Sequence, residues 1–221
     1  MSKNSFIIKQ YEIGLLNNFL YLLGDEATRE MAVIDPAWDV PFLLAQAQKL
    51  GFKVTKVFLT HAHPDHVNGP EELLSTHDVP VYISRHEAPF LRKNLKNLID
   101  VNNKDKLTLG STTFDVLHTP GHTPGCQCFF IPTEASGLSQ GQLISGDILF
   151  IDGCGRCDLP GGDPKIMYRS LHDVIMKLPG NTVVWPGHNY GPTPNDTIAH
   201  QKQTNPYLQV ATLQEFLGER M

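Results

Sequence analysis

Three histidines and one aspartate fall within the six residues that end the segment Thr60-His61-Ala62-His63-Pro64-Asp65-His66, directly behind the largely apolar run 54–59. Imidazole nitrogen and carboxylate oxygen are ligands for zinc, iron and manganese. On a turn leaving a buried strand, His-x-His-x-Asp-His spacing can aim two side chains at one metal and two at a neighbour. A histidine-rich surface loop is the ordinary alternative, but four potential ligands in this order behind a β-branched strand speak against it. The chain is therefore constrained to a fold whose strands end in ligand-bearing turns.

Further ligands should then stand at other strand ends. His122 lies in Thr119-Pro120-Gly121-His122-Thr123-Pro124-Gly125, a turn stiffened by proline and glycine. Asp147 follows a short apolar run in Ser145-Gly146-Asp147, and His188 follows Val183-Val184-Trp185 in Pro186-Gly187-His188. Any one of these alone reads as a turn residue. Together with the histidine segment they make seven ligands, more than one tetrahedral zinc needs, and so imply two metals. His77, His86, His118, His172 and His200 lack such a context and read as surface or core residues.

Apolar periodicity and turn signals fill in the frame. Strands are expected at 19–23, 31–34, 54–59, 79–83, 106–109, 113–117, 126–131, 142–144 and 182–185. Helices are expected at 40–50, closed by Gly51, and at 69–76, 86–101, 163–177 and 210–217. Strands and helices alternate in blocks, which suggests two sheets between helical layers. No linker or low-complexity segment divides residues 1–221, so one domain is expected.

At 221 residues the chain can bury a substantial core, and its 41% hydrophobic and 19% charged content is that of an ordinary globular protein. The net charge of −5 is spread over short runs with no basic block, which argues against nucleic acid as a partner. The run Phe6-Ile7-Ile8 is too short for a signal-peptide core and no stretch is long enough to span a bilayer, so a cytoplasmic location without membrane contact is expected. The four cysteines form Cys126-x-Cys128 and Cys154-x-x-Cys157, close pairs that argue against a disulfide framework. Oligomeric state is left open.

With these motifs in place, the chain resembles the metallo-β-lactamase superfamily from about Asn17 to Leu208. The resemblance is carried by Ile34-Asp35-Pro36, the histidine segment, the His122 turn, Ser145-Gly146-Asp147 and Pro186-Gly187-His188. It implies an α/β (α+β) fold, a four-layer αββα sandwich with the site at the edge between the sheets. It also implies that His61, His63 and His122 hold a first metal, that Asp65, His66 and His188 hold a second, and that Asp147 bridges them. Asp35 would support the site from behind. Zinc is the expected ion, with iron or manganese as alternatives.

Within the superfamily, many true lactamases replace the Asp147-like bridge, and the diiron electron-transfer branch carries glutamate where this chain has His63. Asn17-Asn18-Phe19-Leu20-Tyr21, Gly153-Cys154-Gly155-Arg156 and His188-Asn189-Tyr190 are similar to glyoxalase II and its short bacterial relatives. That resemblance implies a thioesterase cleaving hydroxyacyl-glutathione or a related small-molecule thioester, with Arg156 and Tyr190 contacting substrate. A hydroxide between two metals about 3.5–4 Å apart would attack the carbonyl, and Asp65 could orient it as the candidate catalytic carboxylate. Two departures bear on the thiol carrier. Only 33 residues follow His188, too few for the family's helical glutathione-binding domain, and Cys157-Asp158-Leu159-Pro160 lacks the aromatic expected after Arg156. The alternative is persulfide dioxygenase, resembled in His122-Thr123-Pro124-Gly125-Cys126, in Gly155-Arg156-x-Asp158 and in Thr204-Asn205-Pro206. That relative would hold a single iron at His61, His122 and Asp147 and oxidise glutathione persulfide.

Overall fold

The structure, a computed structural model, describes residues 6–220. Its first sheet is built from β1 (Phe6–Ile13), β2 (Asn18–Asp25), β3 (Glu30–Ile34), β4 (Lys53–Phe58), β5 (Val81–Ser84) and β6 (Leu98–Val101), hydrogen-bonded in that order. β1 to β3 run antiparallel, whereas β3 to β6 are parallel neighbours. Parallel strands need crossovers. α1 (Val40–Lys49) supplies the one from β3 to β4. The short α2 (Pro64–Val67) and α3 (Pro70–Thr76) lie between β4 and β5, and α4 (Ala88–Leu91) lies between β5 and β6.

The second sheet runs β7 (Lys106–Leu109), β8 (Thr112–His118), β9 (Gln127–Ile131), β10 (Gln142–Gly146), β11 (Val183–Pro186) and β12 (Asp196–Thr197). A single turn, α5 (Thr133–Ser136), joins β9 to β10. Against the outer face lie α6 (Pro164–Arg169), α7 (Ile198–Thr204), α8 (Pro206–Gln209) and α9 (Leu213–Arg220).

The layering follows from the period-two pleat. On β2, Leu20 and Leu22 point into a core shared with Val40, Leu43, Leu73 and Leu91 of the first helical layer. Phe19, Tyr21 and Leu23, on the opposite face, meet Phe58, Phe114 and Phe129 between the sheets. A third core joins Leu143 and Val184 to Met167, Ile198 and Phe216. The result is the expected αββα order. Each fully buried leucine contributes about 1.5–3 kcal/mol. Among the described residues no helix is long and apolar enough to cross a membrane.

Two expectations need correction. Residues 86–101 are not one helix. After the single turn of α4, Asn97 takes a left-handed conformation (φ 60°) and its side chain donates to Asp78 Oδ1 at 2.5 Å, which turns the chain into β6. The helix expected over 163–177 begins well, with the Asp163 carboxylate capping Lys165 N and Ile166 N, but is regular only to Arg169. A π-helical turn at Ser170–Val174 and a 3-10 turn at Ile175–Lys177 follow, as Ser170 Oγ donates to Pro120 O at 2.6 Å. β1 was not anticipated, because its outward positions blur the alternation on which a strand reading depends.

Candidate metal centre

All seven candidate ligands assigned from the sequence meet at one edge of the sandwich, where the two sheets join. Main-chain bonds join the sheets there: Phe19 N donates to Gly187 O at 2.8 Å, Asn189 N to Asn17 O at 2.8 Å and Gln127 N to Thr60 O at 3.0 Å. Potential ligand atoms fall into three overlapping groups, each with its atoms within 4.8 Å of one another: His61, His63 and His122; His61, His66 and Asp147; Asp65, His66 and His188. Asp147 lies between the halves. Its Oδ2 is 3.5 Å from His122 Nε2 and 3.2 Å from His188 Nε2, and its Oδ1 is 3.4 Å from His66 Nε2.

The outer contacts place protons on three Nδ1 atoms. His188 Nδ1 faces Leu16 O at 2.9 Å and His122 Nδ1 faces Arg156 O at 2.7 Å. A carbonyl only accepts, so both Nδ1 atoms donate and both Nε2 atoms of the neutral rings present lone pairs. His66 Nδ1 donates in the same way to Asp35 Oδ2 at 3.0 Å. Inside the centre, His66 Nε2 then faces His188 Nε2 at 3.2 Å, and His122 Nε2 faces His63 Nδ1 at 2.8 Å. At this range one nitrogen of each pair must carry a proton, or a cation must be shared between them. Asp147 Oδ1 is buried with no hydrogen-bond partner, an expensive condition for a carboxylate oxygen. Divalent ions would meet both demands, and the clustered imidazole and carboxylate donors fit them.

The electrostatics agree. Burial pushes His61 far below the usual histidine pKa and, with His122 nearby, lowers His63 to about 4. Burial also opposes charge on His66, but the nearby Asp147 carboxylate and the hydrogen bond that His66 donates to Asp35 outweigh it and hold His66 well above the usual value. Burial opposes ionisation of Asp147, yet the nearby His66 and the hydrogen bond from His188 hold it well below the carboxylate range. The pocket thus keeps a buried anion and collects positive charge around it.

Glycines make the space. A Cβ on Gly187 would run into Asp147 Oδ1, and one on Gly155 into Asp147 O, so both positions exclude any side chain. Gly121 presses on the Met167 backbone, and Asp163 N donates to Gly121 O at 2.9 Å, so α6 seats the His122 turn.

Asp35 supports the site as expected. It is buried at φ 47° and accepts from Thr60 N at 2.7 Å and Thr60 Oγ1 at 2.6 Å as well as from His66. Three supporting residues escaped the sequence reading. Asn18 Nδ2 donates to Asp65 Oδ2 at 3.0 Å, and Trp38 Nε1 donates to Asn18 Oδ1 at 2.9 Å. Buried Glu87 accepts from Ala62 N at 3.1 Å and Gly125 N at 2.7 Å, tying the histidine segment to the His122 turn. Asn18 stood inside a recognised motif; nothing local marks Trp38 or Glu87, whose partners are distant in sequence.

The two residues assigned to substrate sit differently. Tyr190 is exposed and stacks on the His188 ring at 4.7 Å. The Arg156 guanidinium projects into solvent and makes a two-pronged contact with Asp158 at 2.9 and 2.6 Å, while its carbonyl holds His122.

Comparison with known proteins adds to this geometry. A family model described as Metallo-beta-lactamase superfamily matches residues 14–188. The probable polyketide biosynthesis zinc-dependent hydrolase PksB of Bacillus subtilis is 30% identical, over 92% of this chain and 87% of its own. The mitochondrial persulfide dioxygenase ETHE1 of Mus musculus is 32% identical over 90% and 74%, and a hydroxyacylglutathione hydrolase of Gloeobacter violaceus is 37% identical over 80% and 66%. The crystal structure of ETHE1 from Myxococcus xanthus matches with a TM-score of 0.85 at 31% identity, covering 96% of this chain and 88% of that one.

Proposed function

The chain belongs to the metallo-beta-lactamase superfamily, and on that premise we propose that it is a two-metal thioesterase of the glyoxalase II kind, acting on hydroxyacyl-glutathione or a related thioester. The superfamily binds divalent metals, and the His and Asp groups of this chain suit them. The observation that carries the reading is Asp147, whose carboxylate lies within 3.5 Å of ligand nitrogens from both halves while Oδ1 has no other partner. Zinc is the ion proposed, in keeping with the donor set.

When bound, two such ions supply Lewis acidity for the thioester carbonyl and bring the pKa of a shared water towards neutrality. The chain's own groups do the rest. Asp65 is half-buried, held by Asn18, and lies 3.5 Å from His66 Nε2 and 3.4 Å from His188 Nε2, where its carboxylate can orient water and take a proton. The leaving thiolate is stable enough to need no strong general acid. No cysteine nucleophile is assigned: burial raises the Cys128 thiol to about 12 and raises Cys126 well above its usual value. Arg156 and Tyr190 are proposed substrate contacts, Tyr190 through its exposed ring beside His188 and Arg156 by sharing its guanidinium between Asp158 and a substrate carboxylate.

A second reading, a mononuclear persulfide dioxygenase using His61, His122 and Asp147, is favoured by the similarity to ETHE1. One experiment separates the two. Metal content, anaerobic thioester cleavage and persulfide-dependent oxygen uptake are measured on the same chelator-free sample. Two metals with anaerobic cleavage support the hydrolase. One iron with oxygen uptake overturns it in favour of the dioxygenase.

A further inference from the structure

Beside His63 the surface opens into a cleft of about 340 Å³, walled by Ala62, Phe90, Pro124, Pro160 and Gly161 and floored by Glu87. Phe90 is 69% exposed. It is held outward because Ala88 and Leu91, on the other side of the same short helix, are buried in the core. Phe90 thus joins the two prolines in a mostly apolar lining beside the candidate ligand His63. The opposite wall is stiff: Gly161 has φ +87°, and a Cβ there would meet Pro124 Cδ at 2.8 Å. No lysine or arginine lines the cleft, and both oxygens of its one carboxylate, Glu87, accept from backbone N–H groups. An amide- or carboxylate-rich carrier would leave its polar groups poorly paired there, and the Glu87 charge opposes an anionic occupant.

We propose that this cleft receives the acyl group of the substrate, and that the group is a neutral, apolar chain longer than acetyl, with Phe90 setting the preference. The inference deepens the thioesterase reading and rests on it for the word acyl. The Tyr190 end of the centre, on His188, is left for the thiol carrier.

The test uses acetyl, hexanoyl and succinyl thioesters of one small thiol, with the metal-loaded protein and its Phe90→Ala variant. Calorimetric binding of the matching non-hydrolysable hexyl thioether is measured in parallel. Wild type is expected to favour hexanoyl over acetyl in kcat/KM by about tenfold or more, with succinyl poorest. Phe90→Ala should reduce the hexanoyl preference to within about threefold and weaken thioether binding comparably, lowering acetyl turnover much less and leaving metal content unchanged. The proposal is overturned by equal losses on acetyl and hexanoyl, by no chain-length preference in wild type, or by a Phe90 effect that follows a hexyl chain moved to the thiol side of an acetyl thioester. If no thioester is cleaved yet thioether binding depends on Phe90, the cleft stands as an apolar-chain site and the hydrolase reading falls. If neither cleavage nor thioether binding occurs, both fall.

Discussion

His66 and His188 are each braced from behind by an acceptor, Asp35 Oδ2 at 3.0 Å and Leu16 O at 2.9 Å, and Asp65 beside them is held by Asn18 at 3.0 Å. Across Asp147, His61 and His122 are braced too, but the ring nitrogens of His63 contact only His61 and His122 among the described residues. One half of the centre is therefore locked into the ends of the first sheet, while the other includes a half-buried ligand that opens onto the apolar cleft. The difference separates two demands on a reaction centre. Ligand geometry must be stiff to keep ions a few ångströms apart, whereas the substrate side must leave space. Asp147 is the one residue both halves depend on.

The sharpest way to break the comparison is Asp147→Ala. Because this carboxylate offsets the repulsion of two ions, its loss should remove both, and activity should fall by more than the roughly 10–100-fold typical of losing an outer partner. Near-normal metal content in this variant, read by elemental analysis, would mean that the halves are independent. Next in size come His66→Ala and His188→Ala. Each should lower metal content from two towards one and cut turnover steeply, while a mononuclear enzyme using the other half would keep its single iron. A smaller effect is expected of Asp35→Asn, which weakens the brace on His66 without deleting a ligand. Metal affinity should drop about 10–100-fold at the second position, with the first much less affected, as read by competition with a chelating dye.

Smallest at the site, and a control for all of these, is Asp25→Ala. Asp25 closes the far end of the sandwich by accepting from Ser111 N at 3.0 Å, Ser111 Oγ at 2.6 Å and Thr112 Oγ1 at 3.1 Å. Its loss should leave metal content unchanged and cost about 1–3 kcal/mol of stability at neutral pH. Burial opposes its charge, but the hydrogen bonds from Ser111, Thr28 and Thr112 prevail and lower its pKa. A lowered folded pKa means that this stability is present above the unfolded value of about 3.9 and disappears as pH falls through the folded one. The gap in thermal stability between wild type and variant should therefore shrink below about pH 4.

How far the sequence could be read follows from where the determining contacts lie. The seven candidate ligands were legible because each sits at a strand end in a glycine- or proline-marked turn, a local pattern that needs no knowledge of partners. The paired sheets were legible because β2, β3 and β9 bury nearly every position as largely apolar runs. Glu87 and Trp38 were not, since a carboxylate that ties Ala62 to Gly125, or an indole that orients Asn18, acts across tens of residues. The segment 86–101 differs: its helix stops at Leu91, and a left-handed Asn97 bonded to Asp78 then leads the chain into a strand. Arg156 keeps its place beside the centre, and its guanidinium is held by Asp158, two residues along the chain.

The central claim is that one carboxylate joins two metal positions. Native mass spectrometry of the chelator-treated protein during stepwise addition of zinc tests it most directly. The account predicts saturation at two ions per chain in wild type and no stably bound ion in Asp147→Ala. Saturation at a single ion in wild type would contradict it.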